Sequence, residues 1–469
     1  MNTVQRIAKN SLVLLASNII NKILGFFYVM YIARYLGAEG FGILSFALAF
    51  TGIFSVFSDL GLNPLTVREV ARDKSLAGKY LGNITVIKIF LVIITFGLIA
   101  ITINLLDYPK QTIKVVYFFA LSVVLSSFSN MFFSIFQAYE KMGYQSIEQI
   151  LSSILMLSGA LFAMSHGFSV IGFAFIYFLV RAVALGYSFA VYMWKFSLPK
   201  LEVDWSFWKP TIKEALPFFL SAVVDIIAFK IDIIMLSMMK GDMVVGWYSA
   251  AYRLIEALMF IPAIFAAAIY PVLSNFYVSS QESLKLIYKR SFKYLFIVSL
   301  PIAVGTTILA HKIILFIYKS GFTHSIIALQ ILIWTIPIIF LTYMFGTMLA
   351  SVNKQFLALK INFLCMMLNI VINLMLIPRY SYVGASIATV ITTLLSFILS
   401  FRFLSKFIYK IQVHKYILKP IMASTIMGLF IFSFTGMNII LLVCYSIVIY
   451  FGVLILLKTF SKKDIILFK

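Results

Sequence analysis

Charge is scarce in this chain: 16 Asp and Glu and 38 Lys and Arg in 469 residues, or 12% charged residues in all. A soluble domain carries about 25%, so a water-soluble globule is excluded. Cysteine is nearly absent. Cys365 and Cys444 sit in apolar runs with no metal-like spacing and read as small buried residues. His166, His311, His324 and His414 are scattered, so no metal site is expected. No phosphate loop, dinucleotide fingerprint, HExxH or G-x-S-x-G elbow occurs, which argues against energy coupling by hydrolysis within the chain. The longest polar connections, roughly 64–83, 195–213, 273–290 and 405–415, are too short to hold a catalytic domain.

What the chain has is hydrocarbon. It is 62% hydrophobic with a mean hydropathy of +1.04. Its apolar runs are too continuous for the alternating strands of a membrane barrel, which leaves a helical bundle. Spans are expected at 12–34, 41–63, 84–106, 112–136, 147–166, 169–194, 214–239, 244–272, 291–318, 325–350, 356–377, 382–404, 416–435 and 437–457. The first run, carrying Asn18, Asn21 and Lys22, lacks a cleavage site and reads as a retained helix. Pro217, Pro262, Pro271, Pro301 and Pro337 mark expected bends.

The formal net charge is +22. With the N-terminus inside, 26 Lys and Arg fall in inside segments and six outside, which places both termini in the cytoplasm of a multi-pass plasma-membrane protein. The basic charge is then a topology signal and a contact surface for anionic lipid, with no nucleic-acid partner. The stretch "REVARDKSLAGKY" suits an interfacial helix or a plain basic connector.

A faint repeat is present: "GAEGFGILSFA" from Gly37 aligns with "GDMVVGWYSAA" from Gly241, matching Gly37, Gly42 and Ser45 to Gly241, Gly246 and Ser249. It implies two six-helix halves of the same orientation, at 1–200 and 201–410, with two further helices at 411–469. The interface between halves is the default place for a substrate path.

Charges inside the spans are the candidate site. Each costs about 2.5–3.5 kcal/mol at mid-bilayer on insertion scales, so they face protein or water. Lys22, Arg181, Lys230 and Arg253 are the bases; Asp225, Asp232 and Glu256 are the acids. Asn18, Lys22 and Gly25 form a polar stripe, and Arg253 with Glu256 stands at i,i+3, where a simple packed pair would also account for them. Asp59, Lys88 and Glu148 lie near expected helix ends, where Lys88 and Glu148 are expected to snorkel.

The segments "NIINKILGFFYVMYIARYLGAEGFGILSFA", "FSDLGLNPLTVREVAR" and "KIDIIMLSMMKGDMVVGWYSAAYRLIEAL" resemble the polysaccharide flippases of the multidrug/oligosaccharidyl-lipid/polysaccharide exporter superfamily. The resemblance implies an all-α membrane fold of about fourteen helices, like that of the multidrug exporters, with a cationic cavity and alternating access. It also implies transport of a polyprenyl-diphosphate-linked sugar, with a glycan polymerase or glycosyltransferases as candidate partners, and no enzyme activity. Lys22, Arg181, Lys230 and Arg253 would hold the diphosphate and Asn18 and Asn21 the sugars. Asp225, Asp232, Glu256 and Asp59 would tune those charges or bind a coupling H⁺ or Na⁺, with no other cofactor. The alternatives are a cation-coupled exporter of organic cations and a non-transporting scaffold for glycan assembly.

Overall fold

A computed structural model describes residues 3–196 and 201–460, with side chains from Ala16 onward. Of the basic residues counted above, Lys200, Lys462, Lys463 and Lys469, and the side chains of Arg6 and Lys9, lie outside the described residues. The elements in order are α1 (Thr3–Ser55), α2 (Leu62–Arg72), α3 (Ala77–Leu105), α4 (Lys110–Ala138), α5 (Met142–Ser165), α6 (Val170–Lys195), α7 (Trp205–Lys240) and α8 (Asp242–Leu258). They continue with α9 (Phe260–Ser279), α10 (Gln281–Tyr318), α11 (Ser325–Leu332), α12 (Thr335–Ser351), α13 (Gln355–Phe407), α14 (His414–Ser433) and α15 (Ile439–Leu456). Short 3₁₀ turns lie at Val56–Ser58, Lys74–Leu76 and Ser320–Phe322. No strand occurs among the described residues.

These elements reproduce the fourteen expected spans. Breaks at Gly37 and Ser381 divide α1 and α13 into two spans each. α8 with α9 makes one span, interrupted just before Pro262, and α11 with α12 makes another, bent by 41° just before Pro337. A proline in the first turn of a helix lacks only a donor that would be unused, so it marks where a new helical segment starts. Ten described helices are long and apolar enough to cross a membrane, or eleven with the bent pair. α7 misses on charge rather than length: its 36 residues include Glu214, Asp225, Lys230 and Asp232.

By internal contacts the chain divides into Met1–Gly246 and Trp247–Lys469. In the first unit Leu65, Leu81, Ile84, Ile135, Phe136 and Ala215 form the centre of an apolar core shared by α2, α3, α4 and α7. In the second, Leu309, Met427, Ile431, Leu442 and Leu454 join α10 to α14 and α15, where the Tyr450 hydroxyl donates to the Ile297 carbonyl at 2.7 Å. The outward surface is also apolar: Ile93, Ile101 and Leu105 of α3 are 64, 61 and 78% exposed, a face suited to hydrocarbon. Many small polar side chains bond within their own helices, as where Thr51 and Thr95 each donate at 2.7 Å to the carbonyl four residues back.

The stretch 68–80 is part helix and part connector. Arg68 to Arg72 complete α2, then Asp73 is extended and its carboxylate takes the Ser75 N–H at 2.9 Å, which starts the next turn. Around it a polar belt ties the start of α7 to α2 and α3. Arg68 pairs with Glu69 and Glu214, Lys79 meets Asp204 at 3.0 Å, and Asn83 Oδ1 accepts from the Asp204 N–H at 2.9 Å and the Trp208 indole at 3.0 Å. The Ser206 hydroxyl, with Lys79 beside it, holds the Asp204 carboxyl down at about 2.

At the turns ending the first limb of α1 and ending α7, Gly37 has φ 69°, ψ −175° and Gly241 has φ 84°, ψ 174°. Only glycine adopts this region without cost. The repeat seen in the sequence is thus a repeat of backbone conformation. Nearby, the Tyr108 hydroxyl donates to Ser237, which donates to Asp242, and Thr112 also reaches Asp242. Burial pushes the Tyr108 phenol up to about 12.

Candidate functional site

Within the first unit, α1, α5 and α6 line an open cavity of about 360 Å³. α1 contributes Asn21, Gly25 and Tyr28, which at i, i+4 and i+7 share one helix face. α5 contributes Glu148, Gln149, Ser152 and Ser153, one turn apart in two pairs. α6 contributes Tyr177 and Arg181, also one turn apart.

The side chains are held by one another. Ser153 donates to Asn21 Oδ1 at 2.9 Å, and Asn21 Nδ2 reaches Gln149 Oε1 at 3.5 Å, so α1 and α5 share an amide-and-hydroxyl seam. One turn further along, Ser17 donates to Ser146 at 3.2 Å. Ser152 donates to Glu148 at 2.6 Å, and the Arg181 guanidinium lies over the Tyr177 ring, 5.0 Å from its centre, with Nη2 donating to its hydroxyl at 3.0 Å. A guanidinium has five N–H donors in a rigid fork, and Tyr177 takes one of them. Glu148 is buried, within electrostatic reach of Arg181. Such a constellation can orient an anionic group by the guanidinium and hydroxylated groups by amides and serines.

Of the residues expected from sequence, the structure brings Arg181 and Asn21 to this cavity. Asn18 and Lys22 are exposed on α1 and are not among its lining residues. On α7, Asp225 is exposed, Lys230 half-buried and Asp232 buried, and each is engaged in an interaction. Arg253 Nη1 donates to Glu256 at 2.9 Å in the second unit, the contact that their i,i+3 spacing predicts.

Three expectations are corrected. Cys365 is buried as expected, but Cys444 is exposed on the outward face of α15. Lys88 does not snorkel: its side chain is fully buried, with Nζ 2.8 Å from Asp59 and 3.1 Å from the Ser127 hydroxyl. Its amine is turned into the unit and bonded there by a carboxylate and a hydroxyl, so it is not carried towards an interface. Glu148 likewise turns inward, to Ser152 and the cavity, and is only 3% exposed. The sequence reading had no role for Gln149, Ser152, Ser153 or Tyr177. The spacing of Tyr177 to Arg181 and of Glu148 to Ser152, each i,i+4, was the available signal.

The family profile described as "Polysaccharide biosynthesis protein" matches residues 7–277. A profile named MatE matches residues 217–375. The chain is 22% identical over 459 residues to the probable low-salt glycan biosynthesis flippase Agl15 of Haloferax volcanii, covering 96% of this chain and 94% of the relative. It is 24% identical over 313 residues to a putative O-antigen transporter of Escherichia coli, covering 64% of this chain and 73% of that one. Among solved structures, the lipid II flippase MurJ in an inward closed conformation superposes with a TM-score of 0.77 at 16% identity, over 94% of this chain and 98% of that one. An inward-facing MATE family transporter of the MOP superfamily gives 0.66 at 16% identity, over 84% and 98%.

Proposed function

The chain belongs to the polysaccharide biosynthesis protein family, and on that premise we propose that it is a flippase that carries a polyprenyl-diphosphate-linked oligosaccharide from the cytoplasmic to the outer leaflet. It is a membrane transporter and not an enzyme. The observation that carries the reading is Arg181: a guanidinium set among membrane-spanning helices, stacked on Tyr177, at a cavity whose other lining residues include Asn21, Gln149, Ser152 and Ser153 beside the one acid Glu148 and the apolar Met156. A lipid diphosphate has a head that cannot cross hydrocarbon unaided and a tail that never needs to leave it. A fixed cation matched to phosphate geometry lowers the cost of the head, and neighbouring amides suit the sugars.

In this reading, alternating access between the expected lobes moves the head, both termini stay in the cytoplasm, and Lys22, Lys230 and Arg253 supply further positive charge along its route. Glu148 fixes the position of Arg181 until the anion arrives. Moving two uncompensated negative charges outward down an inside-negative potential releases about 4–5 kcal/mol per 100 mV, which can drive export in place of hydrolysis. Asp225, Asp232 and Glu256 are the candidates for an H⁺ or Na⁺ step in the return. A glycan polymerase or glycosyltransferase acting on the same lipid is the partner class this implies.

The test is reconstitution. Polyprenyl-diphosphate sugars enclosed in the inner leaflet of liposomes become accessible outside when the protein is present, and do so much less with Lys22→Ala/Arg253→Ala. Efflux of organic cations in place of that result would assign the chain to drug export; neither activity would leave a scaffold.

A further inference from the structure

A second cavity of about 380 Å³ lies in the same unit, lined from α1, the 56–61 turn, α2, α4, α6 and α7. It shares Tyr177 with the Arg181 cavity, so the two are neighbours across one ring. Its chemistry differs. Instead of an arginine, it is lined by Thr51, Ser126, Asn63 and Asn130, and by the one charged side chain Asp59. That carboxylate is already neutralised from behind by the fully buried Lys88. The cavity therefore presents hydrogen-bonding groups with no net charge.

Two further features point to a ligand. Asn63 is half-buried at this wall and its backbone N–H donates to the Asp59 carboxylate at 3.4 Å, which sets the two polar side chains side by side. Phe119 and Tyr177 line the wall as a ring pair with centres 4.6 Å apart. A neutral space with carboxylate and amide groups on some walls and aromatic rings on another matches a sugar ring, which has hydroxyls around its edge and C–H bonds on its faces. The volume lies within the roughly 300–1,000 Å³ of small-molecule sites.

We propose that this cavity receives an uncharged sugar residue of the transported lipid, with Asp59, Asn63 and Asn130 bonding its hydroxyls and the Phe119–Tyr177 pair covering its C–H face. The inference rests on the flippase reading above and deepens it: Arg181 holds the diphosphate on one side of Tyr177 and this cavity holds the sugar on the other. Lys88 acts as a built-in counter-ion, which lets a carboxylate stand in a membrane protein as a sugar ligand without attracting a cation.

The test uses the full chain in proteoliposomes with fluorescent short-chain polyprenyl diphosphates, one sugar-free and three bearing a single glucose, galactose or N-acetylglucosamine. The wild type should move at least one sugar-bearing lipid roughly tenfold faster than the sugar-free one, the scale of one well-made hydrogen-bonded contact. In Asn63→Ala and Asn130→Ala that ratio should fall towards one. A second measurement guards against misfolding: with Cys365→Ser and Cys444→Ser as background, Ser126→Cys should be shielded from a water-soluble thiol reagent by the sugar-bearing lipid and not by the sugar-free lipid. A wild type that moves all four lipids equally, variants that keep the full ratio, or equal shielding by both lipids would overturn the sugar site while leaving the flippase standing. If the wild type moves none of the four, the flippase reading itself fails, and the sugar site with it.

Discussion

Gly42 and Gly246 sit in a reciprocal backbone contact. A methyl group on Gly42 would fall inside the carbonyl of Asp242, four residues before Gly246, and a methyl group on Gly246 would fall inside the carbonyl of Ala38, four residues before Gly42. Each half of the contact maps onto the other at the repeat offset of 204 residues, the self-complementary pattern of a local two-fold axis. Backbones approach this closely only where both helices carry the smallest residue.

Alanine at either position should therefore destabilise the protein by about 1–3 kcal/mol, the usual cost of overpacking a closed contact. Thermal unfolding in detergent checks this. Gly25→Ala is the control, since a methyl group there meets nothing within 4 Å. Equal melting temperatures for all three variants and the wild type would contradict the contact.

The Lys88–Asp59 pair joins residues 29 apart in sequence, and the lysine has no exposed surface. Lys88→Met leaves the Asp59 carboxylate without its buried counter-ion and should cost about 1–3 kcal/mol, while Lys88→Met/Asp59→Asn should recover a large part of that. A double-mutant cycle on melting temperature measures the coupling. Additive losses would mean that the pair is not a unit.

Asp204 gives a pH dependence with a definite sign. Its carboxyl is lowered from 3.8 to about 2 by the Ser206 hydroxyl and Lys79. A group with a depressed folded-state value stabilises above its unfolded value and loses that contribution as pH falls towards the folded one. The tether at the start of α7 is then intact above about pH 4 and fails between 3.8 and about 2. Protease sensitivity around residue 204, measured against pH, should rise in that window for the wild type and show no such step in Asp204→Asn.

Lys319 ends α10 at φ 67°, ψ −171°, the same backbone region that Gly37 and Gly241 occupy. For a residue with a side chain this costs on the order of 1–3 kcal/mol. Lys319→Gly should raise the melting temperature; an unchanged or lower value would show that the lysine side chain contributes more than the strain removes.

Much of the architecture was legible in the sequence because helix length, prolines and basic flanks are local signals. The fourteen spans and the Arg253–Glu256 contact follow from spacing along one helix, and the Gly37 and Gly241 echo follows from a motif repeated along the chain. The cavities do not. Asn21 meets Ser153 across two helices, Asp59 in the turn after α1 meets Lys88 on α3, and which face of α5 turns towards α1 is decided by packing. The same blindness put Lys88 and Glu148 at an interface: position along a span says how deep a residue can lie, and nothing about the carboxylate or hydroxyl waiting there.

The central claim is that a cation inside the membrane holds the diphosphate, and Arg181 is where it is most exposed to test. The decisive measurement is the rate at which reconstituted protein flips a polyprenyl-diphosphate sugar in Arg181→Ala and Arg181→Lys, each checked for an unchanged melting temperature. Losing charge-assisted hydrogen bonds to the phosphate should slow Arg181→Ala by roughly 10–100-fold, with Arg181→Lys in between because it keeps the charge and loses the planar fork. Wild-type flipping by a well-folded Arg181→Ala protein would contradict the account.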